Sequence, residues 1–252
     1  MGEEKADKIT LLELLAAVRA GDRKALAQAI SVAENQPTEL ESALPQEISK
    51  SHVVGITGAP GVGKSTTVSA LITSLRKQNK SIAVIAVDPS SPISGGALLG
   101  DRIRLNEHFL DSQVFIRSLA TRGHLGGLTA STQLSIRLAA LAGFDVIIVE
   151  TVGVGQSEVE IMKHAKTVVV VMAPGMGDGI QASKAGILEI GHIYLVNKSD
   201  RDGAKETAKE LERSLHLSHR SGTWQPMILL GAMEQSTGIA ELIEAISLHQ
   251  KS

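Results

Sequence analysis

The run "GAPGVGKST" sets Gly58, Ala59, Pro60, Gly61, Val62 and Gly63 directly ahead of Lys64, Ser65 and Thr66. Glycines let successive backbone N–H groups converge on one anion, and a helix opening there adds the partial positive charge of its amino terminus. A phosphate chain suits this arrangement, with Lys64 bridging the β and γ phosphates and Ser65 offering a hydroxyl to Mg²⁺. Three acids follow at strand ends or in glycine-flanked loops: Asp88 after "IAVIAV", Asp101 in "SGGALLGDR" and Glu150 after "DVIIV". Mg²⁺ takes hard oxygen ligands and keeps several waters, so Ser65, Asp88, Asp101 and Glu150 form the expected metal set, direct or through water. With Lys64, the three acids are the expected catalytic groups. Asp101 also suits the N-cap of a helix opening at "RIRL".

A second constellation lies late in the chain. "NKSD" (Asn197–Asp200) ends an apolar run, and "GAM" (Gly231–Met233) ends the next. Asp200 can accept from guanine N1–H and N2–H₂ together, a pair adenine does not present. Asn197 would face the O6/N7 edge, the Lys198 stem would cover the base, and Gly231 and Ala232 would close the site. Alone, "NKSD" is an ordinary polar strand end; coupled to an upstream phosphate loop it points to guanine. Such a site discriminates strongly, because the wrong base leaves its hydrogen bonds unmade. "SLATRGHLGGLT" (Ser118–Thr129) is polar and glycine-rich. There Arg122 or His124 could reach a γ-phosphate or attacking water, and a solvated loop fits equally well. The remaining histidines lack metal-ligand spacing and are read as surface.

Strands at 52–57, 81–87, 114–119, 145–150, 167–173, 192–197 and 226–231 are expected to position these groups, with helical spacing between most of them. Their continuous Val/Ile runs suit strands buried on both faces, and such sheets hold ligands at their strands' carboxyl ends. The expected fold is α/β, a mostly parallel sheet flanked by helices. Ahead of it, "LLELLAAVRAGDRKALAQAISVAEN" is helical by pattern, interrupted at Gly21-Asp22. The expected organisation is a helical prefix over residues 1–48 and a nucleotide domain over 49–252.

The net charge of −2 with interleaved signs offers no nucleic-acid steering. One tryptophan, one tyrosine and three phenylalanines are too few for a base-stacking platform. Cysteine is absent, which excludes disulfides and thiolate metal sites. The start "MGEEKADK" has no secretory pattern, and the longest apolar runs are strand-length, so a cytoplasmic-type protein is expected.

Taken together, "GAPGVGKST", "AVDPSSPISGGALLGDR", "FIRSLATRGHLGGL", "IIVETVGVGQSEVEI", "APGMGDGIQASKAGILEI" and "VNKSDR" resemble the MeaB/ArgK family of P-loop GTPases. The likeness runs from Leu11 to about Ile246. It implies GTP/GDP and Mg²⁺ as ligands and a cobalamin-dependent acyl-CoA mutase, of the methylmalonyl-CoA type, as partner. It further implies that Lys184 lies in a loop passing nucleotide state to that mutase. In "GDGIQA", Gly179 stands where an acid is expected. Family members carry a further helical extension that forms their dimer; these residues end at Ser252, so a homodimer is expected only with that extension. Glu150 then takes the place of the Walker B acid, and Gly153 can give its N–H to the γ-phosphate. Val154 cannot orient water, and Gln156 comes two residues late. Hydrolysis is therefore expected to be slow until a partner orders the site, an effect worth ~10³–10⁵ in other GTPases. The alternatives are a metal-insertion GTPase, an ArgK-type ATPase or kinase of amino-acid transport, and a binding module whose hydrolysis is incidental.

Overall fold

The computed structural model describes residues 10–46, 51–88, 105–120, 125–151, 159, 162–175, 187–217 and 224–252. Among the described residues seven strands, β1 (His52–Thr57), β2 (Ile82–Asp88), β3 (Val114–Ala120), β4 (Val146–Glu150), β5 (Thr167–Met172), β6 (Ile193–Val196) and β7 (Met227–Leu230), form one sheet. Their order is β3-β2-β4-β1-β5-β6-β7 and every pairing is parallel. Each strand lies within a residue of its expected limits. The apolar runs are explained by burial on both faces: all residues of β4 and β5 are buried.

Among the described residues three helices precede the sheet: α1 (Leu11–Arg19), α2 (Arg23–Asn35) and α3 (Pro37–Ala43). Thr10 and Glu13 form a reciprocal capping box on α1. Gly21, at φ 85°, turns the chain, and the Asp22 carboxylate accepts from Lys24 N and Ala25 N to open α2. The later helices are α4 (Lys64–Lys77), α5 (Leu125–Leu141), α6 (Ile187–Ile190), α7 (Ala204–Leu217) and α8 (Ile239–Lys251). One core packs α1, α2 and α5 residues such as Val18, Leu26, Ile30 and Leu138 against Ala83, Ile85, Ile147 and Val149. The other packs α4 and α8, through Val68, Leu71, Leu242 and Ala245, against Val54, Ile56, Val84 and Ile148.

The prefix also grips the edge strand β3. The Arg23 guanidinium donates to the carbonyls of Asp111, Ser112 and Val114, and Arg117 Nη2 lies 2.9 Å from Glu34 Oε2. Among the described residues no helix is long and apolar enough to cross a membrane.

The surface reading of the histidines is overturned for His52, His108 and His249, which are all buried. At the amino-terminal edge of the sheet, His52 Nε2 and His249 Nδ1 each lie 2.8 Å from Thr167 Oγ1. The His249 ring stacks at 4.0 Å on His192 and meets Trp224 edge-on at 4.7 Å. His192 Nδ1 accepts from Val168 N at 2.9 Å. Burial, then the fields of His249 and Lys166, push the His52 imidazole down to about 4. His249 is lowered for the same reasons, burial first and then Lys166.

Candidate functional site

The opposite, carboxyl-terminal edge carries the chemistry. β1 runs into the phosphate loop, and α4 starts at Lys64. Two glycines there admit no substitute. A Cβ on Gly58 (φ 142°) would stand 2.1 Å from Val171 O, and one on Gly63 (φ 98°) 2.2 Å from Asn197 Nδ2. The loop therefore lies flush against β5 on one side and the "NKSD" turn on the other. Pro60, Gly61 and Thr66 are exposed, Ala59 is partly so, and Val62 is buried beneath them.

The Lys64 side chain is buried and folds back over its own loop, donating to Gly58 O at 2.7 Å and Ala59 O at 3.0 Å. Those carbonyls hold the ammonium where phosphate oxygens can replace them. At the next residue, Ser65 Oγ donates to Glu150 Oε1 at 2.8 Å, with both residues buried. β4 delivers Glu150 to this point because it lies beside β1 in register, Ile56 opposite Glu150. A buried hydroxyl and carboxylate in contact form a hard-oxygen donor pair, which fits Mg²⁺. On the far side of β4, β2 carries Asp88 as its last residue, paired with Ala120 of β3. Asp101 and Gly153 lie outside the described residues, as do Arg122, His124, Val154, Gln156, Gly179 and Lys184.

The "NKSD" turn follows β6 and is built onto the phosphate loop. Asn197 is buried; its Nδ2 donates to Val62 O at 2.9 Å, and its Oδ1 accepts from Met233 N at 3.0 Å. The amide thus fastens the phosphate loop to the segment after β7. Lys198 adopts φ 58°, a left-handed backbone rare outside glycine, and its Nζ donates to Gly61 O at 2.7 Å. Ser199 N donates to Gly231 O at 3.0 Å, and Gly231 N to Val196 O at 3.0 Å. Ala232 is buried beside them, and Asp200 is exposed at the rim.

The structure therefore brings Gly58–Ser65, Glu150, Asn197, Lys198, Gly231 and Ala232 together along one sheet edge. The Met233 N–H was not singled out from sequence, because a main-chain donor leaves no residue-type signal; only its place in "GAM" hinted at it.

The family model described as methylmalonyl Co-A mutase-associated GTPase MeaB matches residues 26–252. A protein of Pyrococcus horikoshii named as a GTPase is 46% identical over 245 residues, covering 95% of this chain and 77% of that one. GTPase ArgK of Escherichia coli is 37% identical over 251 residues, covering 95% and 76%. A crystal structure described as LAO/AO transport system kinase superposes with TM-score 0.77 at 30% identity, covering 97% of this chain and 76% of that one.

Proposed function

The chain belongs to the methylmalonyl Co-A mutase-associated GTPase MeaB family, and on that premise we propose that it is a GTP-driven, cytoplasmic chaperone of a cobalamin-dependent acyl-CoA mutase. GTP hydrolysis is the family's activity. The finer reading is that the nucleotide cycle times the loading or protection of the mutase's cobalamin. The nucleotide cycle is supported by the junction of the two loops, in which Asn197 holds Val62 O and Met233 N, and Lys198 holds Gly61 O, and the mutase as partner is supported by the family match. Through that junction, base recognition and phosphate binding act as one rigid unit.

On nucleotide binding, Lys64 exchanges the Gly58 and Ala59 carbonyls for the β- and γ-phosphate oxygens. The backbone N–H groups from Gly61 to Ser65 surround the same charge. Asp200 selects guanine through its two accepted hydrogen bonds. Ser65 and Glu150, with Asp88 and Asp101, would hold Mg²⁺, which would neutralise charge developing on the leaving oxygen. Water then attacks the γ-phosphorus, the bond to the β-phosphate oxygen breaks, and GDP and inorganic phosphate leave.

The test is GTP turnover of the purified protein, alone and with a methylmalonyl-CoA-type mutase titrated in. A saturable rise of an order of magnitude or more is the expected result. Turnover unchanged at saturating mutase, with GTP still bound, would refute the chaperone reading and leave the GTPase.

A further inference from the structure

We propose that Thr57 and Thr151 form a cross-strand hydrogen bond, open in the free protein, that closes when nucleotide and its metal are bound. The proposal rests on the nucleotide-site reading above. Thr57 is the last residue of β1, directly before the phosphate loop, and Thr151 directly follows Glu150. The β1–β4 register pairs Ile56 with Glu150, and Thr151 N donates to Ile56 O at 3.1 Å, so the next lateral pair is Thr57 with Thr151.

Side chains alternate along a strand. Glu150 and Ile56 point toward α4, where Glu150 meets Ser65. Thr57 and Thr151 therefore share the opposite face with Val149 and Val170. Thr57 is 0% exposed and Thr151 2%, and among the described residues neither hydroxyl has a hydrogen-bond partner. Buried hydroxyls are ordinarily satisfied, so two orphans side by side, each one residue from a phosphate- or metal-binding motif, need an explanation.

Neighbouring strands run about 4.8 Å apart, and threonine hydroxyls opposite one another can bond across that gap. Hydroxyls held at that spacing stand about 2 Å beyond the ~2.8 Å of an O–H···O bond, a gap that χ1 rotation and a small approach of the strand ends together close. The Ser65–Glu150 contact supplies the motion: a cation on Ser65 draws the carboxylate toward it, and Thr151 is the next residue along the strand. The pair is thus a latch whose bond is withheld until the site is filled.

The experiment measures GTP affinity with Mg²⁺ and in EDTA, and nucleotide-free thermal stability, for T57V, T151V and the double variant. Valine keeps the shape and removes the hydroxyl. Without nucleotide, each valine should raise Tm by about 2–4 °C, additively, because an unsatisfied buried group is removed. With Mg²⁺, each single variant should lose about fivefold in GTP affinity, the worth of one net hydrogen bond, and the double variant the same fivefold. In EDTA all four proteins should agree. T57S, which keeps the hydroxyl, should bind Mg²⁺–GTP like the wild type.

Unchanged Mg²⁺–GTP affinity in both single variants would overturn the latch. So would a lowered nucleotide-free Tm, since the hydroxyls would then be bonded already. Losses that multiply to about 25-fold would also overturn it, by giving each hydroxyl its own partner. If the wild type binds GTP in neither condition, the nucleotide-site reading fails and takes the latch with it, a result distinct from the others.

Discussion

Replacing His52 by glutamine is expected to remove much of the protein's acid sensitivity between pH 6.5 and 4. His52 is 6% exposed and is pushed from 6.5 to about 4 by burial, then by the positive fields of His249 and Lys166. The sign follows from linkage. The folded state keeps the ring neutral while the unfolded chain takes up a proton near pH 6.5, so stability is fully present above that value. It falls by about 1.4 kcal/mol per pH unit until the folded ring protonates near pH 4. The difference amounts to roughly 3 kcal/mol, a large share of the 5–15 kcal/mol typical of a domain. Protonating His249 in the same cluster adds in the same direction. Urea unfolding followed by the fluorescence of Trp224, the sole tryptophan, gives the stability at each pH. Wild type minus His52→Gln isolates the ring, because the lowered carboxylates Glu13, Asp111 and Asp145 titrate equally in both proteins. The difference should slope by more than 2 kcal/mol from pH 7 to 4. Parallel curves would refute the argument that burial at this edge keeps the imidazole neutral.

Three further outcomes follow from the site. Lys64→Met should cut GTP turnover by about 10²–10³, the scale for losing one positioned charge in a transition state. Single-turnover hydrolysis checks it. Asp200→Asn should weaken GTP binding by ~10² or more, since it removes the charge and sets an NH₂ donor against a guanine N–H, while thermal melts stay unchanged because Asp200 is exposed. Titration calorimetry with GTP and ATP would show the lost discrimination. Asn197→Ala should destabilise the nucleotide-free protein by about 1–3 kcal/mol, because Val62 O and Met233 N lose their partner inside the fold. Chemical denaturation measures that cost directly.

The local elements were legible because local rules govern them. Glycine spacing marked the phosphate loop, unbroken Val/Ile runs marked doubly covered strands, and Gly21-Asp22 marked the helix break. The strand order was not legible. Nothing in β1 alone says that β4 and β5 flank it, since that is decided by which helices cover which face. Asn197 shows the same limit: its residue type suggested base contact, while its amide also binds two main-chain groups distant in sequence. For His249 a signal existed. Leu242, Ala245, Ile246 and His249 fall at helical spacing on the buried face of α8, and a histidine continuing an apolar stripe is a buried histidine.

The place of β1 at the centre of the sheet also orders events during synthesis. The phosphate loop is made early, yet its strand pairs with segments that begin at Val146 and Thr167, and the amide locking its mouth is at residue 197. Closing such distant contacts is slow, and their loop entropy must be met before they return any stability. A nascent chain therefore has no nucleotide site until the ribosome has passed Met233, whose N–H completes the Asn197 clasp. Until then GTP can offer it no mass-action stabilisation, and its Val/Ile runs remain uncovered β-strand sequence. The demand on holding chaperones should be greatest between the release of β2 and that of β7. Ribosome-bound chains stalled on either side of residue 233 should differ sharply in protease resistance with GTP present.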